Sequence, residues 1–208
     1  MRVIDKVLTF DEKTHRYFMN GRAALGVSQI LELSGISNFQ FVNKDLLDRA
    51  QKFGTAAHSA TVFSDRNTLD KSSLDAPLVP YLDAWKLFCA KEIHEILYIE
   101  EPVYSIRFGF AGMLDRIALD LKRRTTLVDI KTSKEFAPAV KLQTAGYQLA
   151  FEEMHKPFTI ARRVGVILQE DGTYYAEDFK DRSDRDDFLA CARVAAFKLR
   201  NGLQGGVR

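Results

Sequence analysis

The stretch Gly112-Met113-Leu114-Asp115-Arg116, the basic turn Lys122-Arg123-Arg124 and the run Leu127-Val128-Asp129-Ile130-Lys131-Thr132-Ser133 decide how this sequence reads. Apolar and β-branched residues around both acids predict two strands joined by the turn, and side chains at i and i+2 of a strand share a face. Asp129 and Lys131 therefore point the same way, with Val128 and Ile130 on the other side. With the turn centred near Arg123, antiparallel pairing sets Asp115 across from Lys131 and diagonal to Asp129. Two carboxylates on one face repel unless a cation sits between them, and oxygen ligands favour a hard ion, Mg2+ or Mn2+, one or two in number. Such a centre binds a phosphate oxygen, lowers the pKa of a bound water and stabilises charge at phosphorus. Lys131 is then placed either to orient or help deprotonate that water, or to neutralise charge developing on the phosphate. In isolation the same residues describe an exposed pair on an edge strand and a surface Asp115-Arg116 ion pair. The apolar flanks Leu127-Val128 and Ile117-Ala118-Leu119 favour central strands instead, where an acid is costly without a partner or a metal.

Outward from this hairpin, Val7 to Phe10 and Arg16 to Met19 predict a small N-terminal β-hairpin, with Asn20-Gly21 as the next turn signal. Val27-Ser28-Gln29-Ile30-Leu31 starts a short helix that Gly35 stops. Helical spacing recurs from Asn43 to Phe63, with His58 on that helix, and again at Tyr81, Trp85, Phe88, Cys89 and Ile93. The polar segment Ser64 to Pro80 between them reads as a loop. Extended segments over Tyr98–Ile106, Phe108–Leu121 and Thr125–Lys131 predict a three-strand meander. A helix over Pro138–Met154, strands near Ile160–Leu168 and Tyr174–Phe179, and a terminal helix over Arg185–Arg200 complete the chain, with residues 201–208 a frayed tail. This order indicates an α/β protein with a mixed central sheet covered by helices.

The composition sets outer bounds. A length of 208 residues, 46% hydrophobic and 28% charged, suits one packed domain rather than a disordered chain. We read residues 1–208 as that domain, 1–40 as hairpin and short helix and 41–200 as core. Two cysteines, Cys89 and Cys191, both in apolar helical contexts, read as buried thiols and leave no four-Cys zinc or iron-sulfur site within the chain. A formal charge of +2 neither supports nor excludes a nucleic-acid partner, which would have to find locally clustered cations such as Lys122, Arg123, Arg124, Lys134, Lys141, Arg162 and Arg163. Phe39, Phe41 and Phe136, in loop-like contexts, are candidates for stacking on bases, with core packing the simpler reading. No apolar run approaches a membrane span, no leader is evident in Met1-Arg2-Val3-Ile4-Asp5-Lys6, and a cytoplasmic location, in a bacterial or phage-infected host cell, is expected.

The motifs together resemble the RecB-like branch of the PD-(D/E)xK nucleases, in particular small phage-type exonucleases and the mitochondrial genome maintenance exonuclease. The resemblance runs over nearly the whole chain. It is carried by Gly54-Thr55-Ala56-Ala57-His58, by Gly112 to Asp115 as G-x-x-D, by Asp129-Ile130-Lys131 followed by Thr132-Ser133, and by Gln143-Thr144-Ala145-Gly146-Tyr147 as Q-x-x-x-Y, in that order. The N-terminal pattern His15-Arg16-Tyr17, Asn20-Gly21 and Val27 to Leu31 matches phage members more loosely.

The resemblance implies a restriction-endonuclease-like core and a metal-dependent deoxyribonuclease, with exonuclease action in phage-type replication, recombination or repair. It would make His58, Asp115, Asp129 and the Ile130 carbonyl metal ligands, Asp115, Asp129 and Lys131 the catalytic set, and Gln143 and Tyr147 supports or DNA contacts. Glu100 matches an acid often found on the first strand. The implied substrate is single- or double-stranded DNA with a free end, and a separate helicase, polymerase or recombinase is an expected companion. The chain has neither the four cysteines of iron-sulfur members nor a G-x-x-x-x-G-K-[ST] nucleotide loop, so no iron-sulfur cluster and no nucleotide cofactor is expected. The competing readings are a non-catalytic DNA-binding or assembly module that keeps the nuclease fold, and a structure-specific endonuclease. His15, His94 and His155 lack partners in these motifs and read as structural or solvent-facing.

Overall fold

Local sequence fixes most element ends in the computed structural model, which describes residues 2–3, 7–11, 14, 16–37 and 43–203. The N-terminal strands are β1 (Arg2–Val3), β2 (Leu8–Asp11), β3 (Arg16–Met19) and β4 (Arg22–Gly26). Helix α1 (Val27–Ser34) ends at Gly35, whose left-handed φ of 94° a residue with a Cβ rarely adopts. Helix α2 (Lys44–Asp65) starts under an Asn43 cap whose side chain accepts from the Asp45 and Leu46 amides. The segment expected as a loop after it contains two short 3-10 turns, and its ends are drawn into α2 and into α3 (Val79–Glu92). The meander follows as β5 (Ile93–Ser105), β6 (Phe110–Asp120) and β7 (Thr125–Lys131), then α4 (Ala139–Met154), β8 (Arg162–Leu168), β9 (Tyr174–Asp178) and α5 (Asp184–Arg200). Ile93, expected in the helix, instead opens β5, because it pairs with Asp120 of β6 and packs on the Trp85–Phe88 cluster.

The described strands form one nine-stranded mixed sheet in the order β1-β2-β3-β4-β6-β7-β8-β9, with β5 on β6. The expected hairpin is therefore part of a larger unit whose last strand, β4, joins the central sheet in parallel with β6. Helices α1, α4 and α5 cover one face around Leu114, Ile117, Leu127, Phe151 and Phe188. Helix α3 covers the other, with Trp85 and Phe88 on Val128, Ile130, Val164 and Val166. Phe136, half-buried, packs against Tyr175 and Phe179 where Gly165 leaves room; Phe39 and Phe41 lie outside the described residues, as do His15 and residues 204–208. Cys191 is buried and Cys89 partly so, its thiol pushed up to about 12 by burial. His155 stacks on Phe151, and His94 is exposed.

Strand β6 is forked. Strand β5 pairs along the whole of one edge, from Ser105↔Phe110 to Ile93↔Asp120. On the other edge, Arg116 to Leu119 pair with β7, and Phe110 and Ala111 pair with β4. Residues 112–115 pair with neither, and the sheet opens there.

Two polar devices set this geometry. At the β6–β7 turn, Asp120 is 2% exposed and accepts from the amides of Lys122 and Arg124 and from the Arg124 guanidinium. Arg123 takes a left-handed φ of 60°. The clasp centres the reversal one residue earlier than expected, giving Arg116↔Val128 and setting Asp115 level with Asp129, not Lys131. The shift of two residues keeps all three side chains on the expected parity. The second device is Arg116, which is fully buried and not a surface residue. It donates to Asp65 (2.8 Å) and Thr61 (2.9 Å) of α2 and to the Asp115 carbonyl (2.8 Å), while Trp85 Nε1 donates to the other Asp65 oxygen. This network bolts α2 to β6.

Replacing Asp65 with Ala leaves a buried guanidinium without its counter-ion and is expected to cost about 3–5 kcal/mol in urea unfolding. The double variant Asp65→Ala/Arg116→Met is expected to recover part of that loss. For Asp120, burial acts to raise the carboxyl pKa, but the Arg124 amide and guanidinium and the Lys122 amide outweigh it and hold it below the usual range. Its stabilisation is thus complete above the unfolded value of about 3.9 and lost as pH falls through the folded one. Asp120→Ala is expected to lower stability at pH 7 by about 1.5–3 kcal/mol, and this difference should shrink toward zero when unfolding is repeated in strong acid.

Candidate functional site

The fork gathers residues from four elements. Because β6 and β7 part beyond Arg116↔Val128, the Ile130 backbone has no strand partner on that side. Its N–H donates instead to Asp115 Oδ2 at 2.7 Å, and its carbonyl lies 2.8 Å from His58 Nε2 on α2. His58 Nδ1 is 3.6 Å from Asp115 Oδ1. When Nε2–H donates to Ile130, an imidazole lone pair and a carboxylate oxygen are left facing each other, an arrangement that a shared cation relieves.

Glu100 reaches the same place from β5. The pairs Ile99↔Arg116 and Glu101↔Leu114 put it level with Asp115. It holds a left-handed φ of 53° in mid-strand, strain of about 1–2 kcal/mol of the kind that collects at functional sites. Arg116 approaches its carboxylate to 3.5 Å. Burial raises the Glu100 pKa, Asp115 adds to this, and Arg116 and His58 partly offset it. One donor atom from each of His58, Glu100 and Asp115 falls within 4.8 Å of the others.

Asp129 stands beside this trio, 1% exposed, with Oδ2 2.8 Å from Lys131 Nζ. The Lys131 ammonium is the partner of that buried oxygen. Burial raises the Asp129 pKa and Asp115 adds to it, with Lys131 and His58 pulling the other way. For Lys131, burial favours the neutral amine, but Asp129 and Asp115 outweigh it, so its pKa is raised and it is an ammonium. A buried carboxylate held by Lys131 next to a trio of O and N donors fits a hard divalent ion.

The remaining motif residues interlock around the fork. A Cβ on Gly112 would lie 2.6 Å from the Tyr147 ring, so the glycine of G-x-x-D is the seat of the tyrosine of Q-x-x-x-Y. Gln143 Nε2 donates to the Tyr147 hydroxyl at 3.1 Å, which leaves the phenol proton free. The nearest atom to a Cβ on Gly54 is Thr132 Oγ1 at 3.4 Å, where α2 passes the end of β7. All eight residues expected at the site, His58, Glu100, Asp115, Asp129, Ile130, Lys131, Gln143 and Tyr147, thus cluster at or beside it. Sequence reasoning missed Arg116, Asp65 and Thr61; the only signal was an Arg next to Asp115 in an apolar strand.

Several expected phosphate-tracking cations are engaged elsewhere. Arg124 pairs with Asp120, Arg162 with Asp178 and Glu92, and buried Arg163 with Asp184. Among the described residues no helix is long and apolar enough to cross a membrane.

No protein family matches the chain by sequence, and no curated protein does either. Solved structures do match. A candidate exonuclease from Eubacterium rectale is similar over 86% of this chain and 82% of its own, at 10% identity and a TM-score of 0.53. The alkaline exonuclease LHK-Exo of Laribacter hongkongensis, in complex with dAMP, is 10% identical over 86% and 89% of the two chains, with a TM-score of 0.49. At such identity the likeness is one of fold, and the chain shares with the Eubacterium rectale structure an α/β fold with a mixed central sheet flanked by helices.

Proposed function

We propose that this protein is a metal-dependent deoxyribonuclease that hydrolyses phosphodiester bonds, acting as an exonuclease in phage-type DNA replication, recombination or repair. The observation that carries the reading is the convergence of His58, Glu100 and Asp115 beside the buried Asp129–Lys131 pair. The fold shared with a candidate exonuclease supports the exonuclease mode. In this reading the active domain spans residues 1–208, and linear DNA is the substrate.

His58, Asp115, Asp129 and the Ile130 carbonyl are the assigned ligands of Mg2+ or Mn2+, with Glu100 as a further acid. A divalent ion held there supplies a Lewis acid for a phosphate oxygen and lowers the pKa of a bound water. The protein's own part is pre-organisation. Asp115 is anchored by the Ile130 amide and His58 by the Ile130 carbonyl, so both donors are fixed before substrate arrives. Lys131, kept protonated by Asp129 and Asp115, presents positive charge where negative charge grows on the phosphate and can orient the attacking water by donating to it. The Tyr147 hydroxyl, positioned by Gln143, offers a neutral donor on the α4 side.

End-labelled linear DNA with Mg2+ or Mn2+ is expected to be degraded from its ends, and EDTA to stop the reaction. Asp129→Ala and Lys131→Ala should each lower turnover by about 10²–10³-fold without loss of folding. A wild-type protein that binds DNA but cleaves no faster than Asp129→Ala would instead be a non-catalytic module. Rapid cutting of covalently closed circles would make it an endonuclease. Mn2+ should also raise the melting temperature of the wild type and leave that of Asp115→Ala unchanged.

A further inference from the structure

The N-terminal strands bring one more side chain toward the fork. Gly26 of β4 lies opposite Ala111 of β6, and Tyr17 of β3 pairs with Ala24 of β4. Tyr17 thereby packs on Ala111 with Leu8 and Tyr104, its ring 3.4 Å from where a Cβ on Gly26 would be. Neighbouring residues of a strand face opposite ways. Gly112 seats Tyr147 on the α4 side, and Ala111 seats Tyr17 on the other, so two phenols flank the forked segment of β6.

Tyr17 as a residue is 8% exposed, its ring packed on Gly26, and its hydroxyl is not among the fully buried polar atoms that lack a partner, so it stays open to a ligand. Burial, with the Glu100 charge adding to it, pushes its pKa up to about 12, so the hydroxyl keeps its proton and lies within the field of the acid cluster. The chemistry of the neighbourhood explains why a phenol suits the position. A cationic side chain there would be captured by carboxylates, as Arg116 and Lys131 are. A neutral hydroxyl retains a free donor, and the acceptor that an acid-rich metal centre attracts is a phosphate oxygen.

We propose that Tyr17 is a substrate contact, its hydroxyl donating a hydrogen bond to a non-bridging oxygen of the phosphate engaged at the fork; this rests on the nuclease reading above. The N-terminal strands then complete the substrate site in addition to extending the sheet.

The test is Tyr17→Phe, which keeps the ring on Gly26 and Ala111 and removes only the hydroxyl. Three quantities are compared with wild type: melting temperature, its rise with Mn2+, and kcat and KM on linear duplex DNA. The expected result is an unchanged melting temperature and Mn2+ response, with kcat reduced roughly ten- to hundredfold. Wild-type turnover in Tyr17→Phe, or activity lost together with stability or Mn2+ response, would overturn the assignment while leaving the nuclease reading standing. A wild-type protein that fails to cleave any DNA with either ion would instead sink that reading, and this inference with it.

Discussion

The hydrogen bond from the Ile130 amide to Asp115 Oδ2, at 2.7 Å, is the contact around which the site is arranged. A buried backbone amide must be paired, and at the fork the pairing strand is missing. Supplying a carboxylate instead of a ladder partner fixes Asp115 against β7 and turns a break in the sheet into a rigid mount. The Ile130 carbonyl, facing the same way, does the same for His58. One residue's backbone thus tethers two side chains from elements far apart in sequence. The D-x-K spacing then places Asp129 and Lys131 on either side of that anchor.

The electrostatics of the fork follow from what is buried with it. Four carboxyl groups, Asp65, Glu100, Asp115 and Asp129, face two cations, Arg116 and Lys131, so acids are in excess at the fork. Arg116 decides how this excess is distributed. Its short contact to Asp65 neutralises the acid deep under α2, whereas its longer contact to Glu100 leaves that carboxylate only partly compensated. The charge excess therefore lies at the open side of the fork. The same guanidinium holds α2 in place, so the position of His58 depends on it, although Arg116 is not among the donors.

Much of this was legible in the sequence because strand alternation is insensitive to small errors. A turn misplaced by one residue slips the register by two and leaves every side chain on its face, so Asp115 and Asp129 were correctly brought together from the wrong pairing. The motif glycines were legible as motifs but not as physics. Only the structure shows that Gly112 is small because Tyr147 lies on it. Arg116 was opaque for a different reason. A buried arginine needs partners, and Asp65 and Thr61 lie more than fifty residues earlier, on a helix whose docking the periodicity of the chain does not specify. The same limit hid Tyr17, whose place depends on β4 crossing to β6.

The near-neutral composition also takes on a spatial meaning. Four of the 30 basic residues are engaged by the protein's own acids: Arg116 and Arg163 are buried with carboxylates, Arg162 bridges Glu92 and Asp178, and Arg124 closes a turn. Three of these four, Arg124, Arg162 and Arg163, were expected to track a phosphate backbone, so under the nuclease reading less of that attraction comes from them. Under the nuclease reading, an ion held by the acid cluster would convert it into a phosphate-binding one, with Lys131 the cation paired with Asp129 among the described residues. That makes neutral donors more valuable there than further lysines, because a hydroxyl adds a hydrogen bond to the phosphate without competing for the carboxylates that hold the ion. The two phenols seated on either side of Ala111 and Gly112 answer that requirement.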